Sequence, residues 1–173
     1  MAVSDSLSPR LVALSAELSA RLGDKLTEES HFRGELTFRV AAESWVALLE
    51  ACKNTPELGF DQLDSLTGDH LPERVAAPFE VIAHLVSHTH GWRVRLKTAL
   101  VEGQALGTVT HLWPSAGFDE RETWEMYGIV FTGNPDLRRL LTIPDFDGFP
   151  QRKDFPLQGT VGGRIRTDLR GKI

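Results

Sequence analysis

Three histidines close together, His84, His88 and His90, are the chain's most visible set of candidate metal ligands. On a helix, His84 and His88 would share a face and could grip one ion. The residues around them predict a strand running into a turn instead. Strand residues four apart lie about 13 Å from each other. Zinc needs each ligand nitrogen at about 2.0–2.1 Å, so His84 and His88 cannot share an ion in that geometry. Polar or edge-strand histidines are expected. A free-standing metal-dependent enzyme built on His84, His88 and His90 is kept as a rival reading, which metal analysis would test. The other chemical signatures are missing from the sequence. It has neither G-x-G-x-x-G nor G-x4-G-K-[ST] to cradle phosphate, and no G-x-S-x-G nucleophile elbow. Cys52 is the single cysteine, so there is no disulfide framework and no Cys-x-x-Cys pair for zinc or an iron–sulfur cluster. Carboxylates are plentiful, but no spacing pairs two of them for acid–base work. No catalytic, cofactor-binding or metal residue is expected in this chain.

The more informative run is Glu120-Arg121-Glu122-Thr123-Trp124-Glu125. Asp119 to Tyr127 contains neither Pro nor Gly, and Gly128 follows as a stop, which predicts a helix of about three turns. Arg121 and Glu125 are one turn apart and are expected to pair, for about 0.2–0.5 kcal/mol. Trp124 and Tyr127, three apart, are expected to point toward the sheet. The plainer reading, a surface helix with a charged outer face, leaves unexplained why the charges adjoin an Arg-, Pro- and Gly-rich segment. That segment begins after Gly133. Pro135, Pro144, Pro150 and Pro156 fall in it, which rules out long helices and central strands, with a short helical turn expected at 136–141. Phe146, Phe149, Phe155 and Leu157 also fall in it. Disordered linkers are poor in aromatics, so an ordered, extended arm is expected.

Upstream elements must position this helix and arm. Ser8-Pro9 reads as a cap and first turn, with Leu11, Leu14, Leu18 and Leu22 on one face and Gly23 as the stop. Residues 35–40 alternate as a half-buried strand. Trp45, Leu48, Leu49 and Cys52 repeat at helical spacing ahead of Pro56, making Cys52 a core residue rather than a reactive thiol. A short, irregular strand is expected over 58–67. Residues 79–87 and 92–100, separated by His88-Thr89-His90-Gly91, give the strongest hairpin signal. Glu102-Gly103-Gln104 marks a turn, and 108–113 reads as a further strand ended by Pro114. No internal repeat occurs.

With 173 residues, 41% hydrophobic and 25% charged, the chain can bury a core without disulfides or metal. No run of about 18 apolar residues is present to span a membrane. The first ten residues lack the basic-then-apolar layout of a signal peptide, so a cytosolic compartment is expected. Charge is uneven: residues 1–137 carry 11 basic and 20 acidic groups, and residues 138–173 carry 8 and 4. The eight basic groups are Arg138, Arg139, Arg152, Lys153, Arg164, Arg166, Arg170 and Lys172. Arginine supplies 14 of the 19 basic residues, and its planar fork suits ion pairs at interfaces. The net charge of −5 argues against a nucleic-acid adaptor working through the basic arm.

Three blocks resemble a known family. Glu120-Arg121-Glu122-Thr123-Trp124-Glu125-Met126-Tyr127-Gly128-Ile129 is similar to the E-R-E-x-x-[DE]-apolar-aromatic-G-I signature of one such family. It is that of the C subunit of the proton-pumping NADH–quinone oxidoreductase, respiratory complex I. The likeness continues through Gly133-Asn134-Pro135-Asp136-Leu137-Arg138-Arg139-Leu140-Leu141. It resumes at Gly148-Phe149-Pro150-Gln151-Arg152-Lys153-Asp154-Phe155-Pro156-Leu157, against the family's G-x-P-x-R-K-D-[FY]-P-L. Asn134 stands where many members have His, and Gln151 where they have an apolar residue.

The resemblance implies a non-catalytic, cofactor-free scaffold protein of the enzyme's peripheral arm, on the cytoplasmic side of the membrane. Flavin and iron–sulfur clusters are then expected in partner subunits. Contacts are expected with the D subunit and with the cluster-bearing B and I subunits. An equivalent scaffold in a membrane-bound hydrogenase or other donor–quinone oxidoreductase is the alternative. The expected fold is α+β, a mostly antiparallel sheet covered by helices over residues 1–132, with an arm over 133–173 that wraps partner subunits. The expected interface comprises Glu120, Arg121, Glu122, Arg138, Arg139, Phe149, Arg152, Lys153 and Phe155. Some of the charged contacts are expected to tie helix to arm and others to cross to partners, with Phe149 and Phe155 as apolar anchors.

Overall fold

A computed structural model describes residues 8–156. The chain forms a mixed α+β fold whose centre is a five-stranded, mostly antiparallel sheet in the spatial order β1 (Leu26–Phe32), β2 (Glu35–Val40), β5 (Trp92–Leu100), β4 (Phe79–Ser87), β3 (Gln62–His70). Helix α1 (Pro9–Leu22) starts where Ser8 and Pro9 predict, with the Ser8 hydroxyl accepting from the Leu11 N–H at 3.4 Å. Its Leu14, Leu18 and Leu22 are buried. Strand β2 (Glu35–Val40) follows an element the alternation does not reveal, β1 (Leu26–Phe32). β1 is an edge strand, exposed along nearly its whole length, so it lacks an apolar face to betray it. The turn between the two strands puts both Arg33 (φ 50°) and Gly34 (φ 79°) in the left-handed region, as a tight hairpin requires.

Helix α2 (Trp45–Asn54) buries Trp45, Leu48, Leu49 and Cys52, as their spacing predicts. Burial pushes the Cys52 thiol up to about 12, against a small opposing effect of Lys25, so it is not a nucleophile at neutral pH. Strand β3 (Gln62–His70) begins and ends later than expected, because Leu58 and Phe60 are buried in the connection before it. Strands β4 (Phe79–Ser87) and β5 (Trp92–Leu100) form the expected hairpin. β5 then pairs in parallel with β2, the one parallel join in this sheet.

The 108–113 segment is not a strand. Only Leu106–Gly107 (β6) is extended and paired, in parallel with Phe131–Thr132 (β7). The following residues curl into a turn in which the Leu112 and Trp113 N–H groups both bond to the Val109 carbonyl. Helix α3 (Ala116–Tyr127) begins earlier than expected, and Gly128 (φ 81°) ends it in the left-handed conformation that glycine takes without strain.

The three α-helices of the described residues all contribute to one buried cluster with the inner side chains of the sheet, among them Phe38, Val81, Leu85 and Leu96. The outward face carries Glu35, Thr37, Arg39, Glu80, His84, Arg95 and Lys97 in register. α3 lies against β3, where Gly68 makes room: a Cβ there would sit 2.8 Å from the Tyr127 ring and 3.0 Å from the Thr123 methyl. No helix among the described residues is long and apolar enough to cross a membrane.

Candidate functional site

α3 presents two fully buried carboxylates, Glu120 and Glu125, both 0% exposed. Neither belongs to a charged outer face. One oxygen of Glu120 accepts from the Val109 N–H at 2.8 Å. Its other oxygen accepts from the Thr108 hydroxyl at 2.6 Å and the Asn134 side-chain amide at 2.8 Å. Glu120 therefore fixes the 108–110 turn and the root of the arm in one place. The Asn134 side chain, in turn, accepts from the Asp136 N–H at 2.8 Å.

Glu125 holds the next stretch. Its oxygens accept from the Leu140 N–H (2.6 Å), the Leu141 N–H (3.0 Å), the Thr142 N–H (2.6 Å) and the Thr142 hydroxyl. Burial alone would raise this carboxyl. The Thr142 hydroxyl and the three backbone N–H groups outweigh burial and bring it down to about 2. The arm is irregular here, bending at 140–142, rather than forming the helical turn expected at 136–141. A segment outside helix and sheet must find partners for its backbone groups elsewhere, and the bend turns three successive N–H groups toward Glu125.

Arg121 takes the complementary half. Its Nε donates to the Arg138 carbonyl at 3.1 Å and its Nη2 to the Arg139 carbonyl at 3.3 Å. Nη1 lies 3.4 Å from the Asp136 carboxylate. The expected Arg121–Glu125 pair is thus replaced: Arg121 serves arm carbonyls and Glu125 serves arm N–H groups. Tyr127 does face the sheet, against Gly68. Trp124 instead lies under the guanidinium of Arg139, 5.9 Å from its ring centroid. Arg139 also sits over Phe146 at 5.6 Å and donates to the Thr142 hydroxyl at 3.1 Å.

Further along, Arg152 is clamped between two rings, 4.7 Å from Phe79 and 4.6 Å from Phe149. Its Nε donates to the Tyr127 carbonyl at 2.6 Å and its Nη1 to Glu102 at 3.0 Å. Gly128 permits this approach, since a Cβ would come within 2.6 Å of Arg152 and 2.8 Å of Phe149. The Lys153 N–H donates to Nδ1 of buried His70 at 2.9 Å, and His70 stacks on Phe79 at 4.8 Å. Phe155 stacks near Phe146 at 6.0 Å and covers Gly148.

The structure therefore brings most of the site residues expected from the sequence together inside the chain. Glu120, Arg121, Arg139, Phe149 and Arg152 bind helix to arm, while Phe155 packs within the arm on Phe146 and Gly148. Glu122 is exposed, as are Arg138, whose side chain is 76% exposed beside Asp136, and the Lys153 side chain. Thr142 and His70 join the site with no signal in the sequence, because their hydrogen bonds reach residues 17 and 83 positions away, and Asn134, legible only as a departure from the family's usual His, binds Glu120. Leu157 and the basic residues Arg164, Arg166, Arg170 and Lys172 lie outside the described residues.

The three histidines have separate partners. His84 bonds Ser65 at 3.0 Å and accepts from the Arg95 Nε at 2.8 Å. Burial, with Arg95 and Arg93 nearby, lowers its pKa despite Glu35 and Asp64. His88 pairs with Asp61 at 3.0 Å, while His90 stacks on Trp92 at 4.5 Å. Among the described residues, no three His, Cys, Asp or Glu side chains form a group able to hold a metal ion.

Residues 38–161 match the family model for the respiratory-chain NADH dehydrogenase 30 kDa subunit. The chain belongs to this family. A C subunit of the NADH-quinone oxidoreductase of Rhizobium meliloti (strain 1021), the one numbered 2, is 47% identical over 127 residues. The match spans 73% of this chain and 69% of the relative. The C subunit numbered 1 in the same strain is 39% identical over 166 residues, 96% of this chain and 81% of that one. Among solved structures, the trypsin-resistant fragment (1-134) of Nqo5 is 31% identical with a TM-score of 0.61, covering 74% of this chain and 99% of the fragment. A chain of an archaeal membrane-bound sulfane sulfur reductase complex shares the fold at a TM-score of 0.71 and 24% identity, over 87% of each chain. The chain is thus placed with the C subunits of complex I, in the peripheral arm.

Proposed function

We propose that the chain is a scaffold that takes no part in electron transfer itself. It holds neighbouring subunits of complex I in register while electrons pass from NADH to quinone and protons are translocated. One observation carries this reading. Glu125 fixes three successive backbone N–H groups of the arm, and the segment so fixed exposes apolar side chains: Leu140, Leu141 (62% exposed) and Ile143. Ordered apolar groups facing outward suit a partner's surface, because their conformational entropy is already lost before binding.

In this reading residues 1–132 are the core domain and 133–173 the arm. Glu122, Arg138 and Lys153 are the charged groups left to reach across. The partners are the D subunit and the cluster-bearing B and I subunits. Flavin and clusters reside in partner subunits, and the assembly lies on the cytoplasmic side of the membrane. Apolar groups bordered by a polar, charged rim are the usual make-up of such interfaces.

Affinity purification from native membranes tests the proposal. Cluster-bearing partners and NADH–quinone activity should co-purify with the tagged chain. Recovery of a lone protein overturns the scaffold reading. Recovery of a complex that accepts electrons from hydrogen or another donor keeps the scaffold and changes the enzyme.

A further inference from the structure

A second polar cluster lies on the outward face of the sheet, away from the arm. Glu80 on β4 is buried, although it points from the face opposite the core. One of its oxygens accepts from Arg39 Nη1 at 2.7 Å and Arg74 Nη1 at 2.8 Å, the other from Lys97 Nζ at 2.8 Å. Three elements supply these cations: β2, the 71–78 loop and β5. One carboxylate against three cations leaves two positive charges unmatched. Glu28, 3.0 Å from Arg39 Nε, offsets one of them. The cationic surplus stands out in a chain of net charge −5.

The cluster borders an open trough lined by Arg39, Arg74, Val75, Ala76, Ala77 and Ala99. Ala99 stands directly across from Glu80 in the β4–β5 register and is exposed. Val75, at the rim, is 91% exposed.

We infer that this trough is a second docking surface, and that its occupant is an acidic segment of a neighbouring subunit. The inference rests on the scaffold reading above. A carboxylate entering the trough meets Arg39 and Arg74, whose five-donor guanidinium groups have N–H donors beyond those that Glu80 and Glu28 take. Charge-assisted hydrogen bonds of this type are short and strong. Because Glu80 already fixes the cations, little side-chain entropy is lost on docking. Val75 and Ala76 add apolar contact beside the charges, which suits a polypeptide better than a free inorganic anion. Docking here leaves the arm free, so the chain would hold two neighbours at separate surfaces.

The test uses the intact complex in membranes. A photo-crosslinking amino acid placed at Val75 should link, on irradiation, to a segment of another subunit that carries Asp or Glu. Separately, Arg74→Glu should lower the yield of assembled complex about tenfold, as expected for reversing one charge of a close interfacial pair. Changing the partner's crosslinked carboxylate to Lys should restore it, which a folding defect in the variant would not allow. An assembled complex with no crosslink from position 75, or with a crosslink to a segment lacking carboxylates, overturns this inference and leaves the scaffold reading standing. A chain that joins no complex overturns both.

Discussion

Glu125 shows how much one side chain can organise. Its carboxylate is the common acceptor for four donors of the arm, a number that matches the lone pairs an ionised carboxylate offers. Glu125→Ala should release residues 140–142 and cost about 3 kcal/mol, since three backbone N–H groups lose a charged acceptor. Faster amide exchange at those residues, with the sheet unchanged, is the expected result. The pH dependence has a definite sign. The folded-state value is about 2 against an ordinary value of 4.5, so the stabilisation is complete above about 4.5 and disappears as pH falls toward 2. Glu80 behaves likewise. Burial opposes ionisation, but Lys97, Arg74 and Arg39 prevail and bring it to about 2. Glu80→Ala should cost about 1–3 kcal/mol in denaturant unfolding, because three partly exposed cations lose the charge that gathers them but keep part of their hydration. These roles are only partly legible in the sequence. The spacing of Arg121 and Glu125 is right for a pair, and a helix in isolation would make it. The arm changes the outcome by offering each of them backbone groups that have no other partner.

At the scale of elements, periodicity is a good guide wherever one face is buried. α1, α2 and the β4–β5 hairpin follow their leucines, Trp45 and the alternation of Trp92, Val94 and Leu96. β1 gives no such pattern because it has water along most of its length. The 108–113 segment imitates a strand because Val109, Leu112 and Trp113 are buried from a turn. The contact between α3 and β3 depends on one missing side chain. Gly68→Ala should force Tyr127 and Thr123 aside and destabilise the fold by about 1–3 kcal/mol, seen as a lower thermal midpoint. Gly128→Ala acts on the arm instead. It strains a left-handed residue by about 1–2 kcal/mol and pushes against Arg152 and Phe149. Limited trypsin digestion should then cut at Lys153 sooner than in the parent chain.

At the scale of the whole molecule, the uneven charge of the sequence acquires a form. The acidic body lends Glu120, Glu125 and Glu102 to the arm, and the arm's Arg152 answers Glu102. What remains outward is an apolar edge at 140–143 and, elsewhere on the surface, a cationic trough. Arg138→Glu combined with Leu141→Asp should leave the fold intact and reduce the amount of assembled complex by about tenfold or more, measured by native electrophoresis. The docked arm also has an order of assembly written into its distances along the chain. Its bonds to Glu120, Arg121 and Glu125 of α3 close loops of 14 to 18 residues, while the bond from Lys153 to His70 closes one of 83. The strands and helix between His70 and the arm are themselves folded, so the stretch left to close is the arm beyond Gly128, and loop-closure entropy favours its contacts nearest the helix. The arm should therefore zip from Asn134 outward, with the Arg152 clamp and the His70 bond closing last and opening first. Its far end, nearest the basic residues beyond 156, is then the part most easily lent to a neighbour while the root stays fastened.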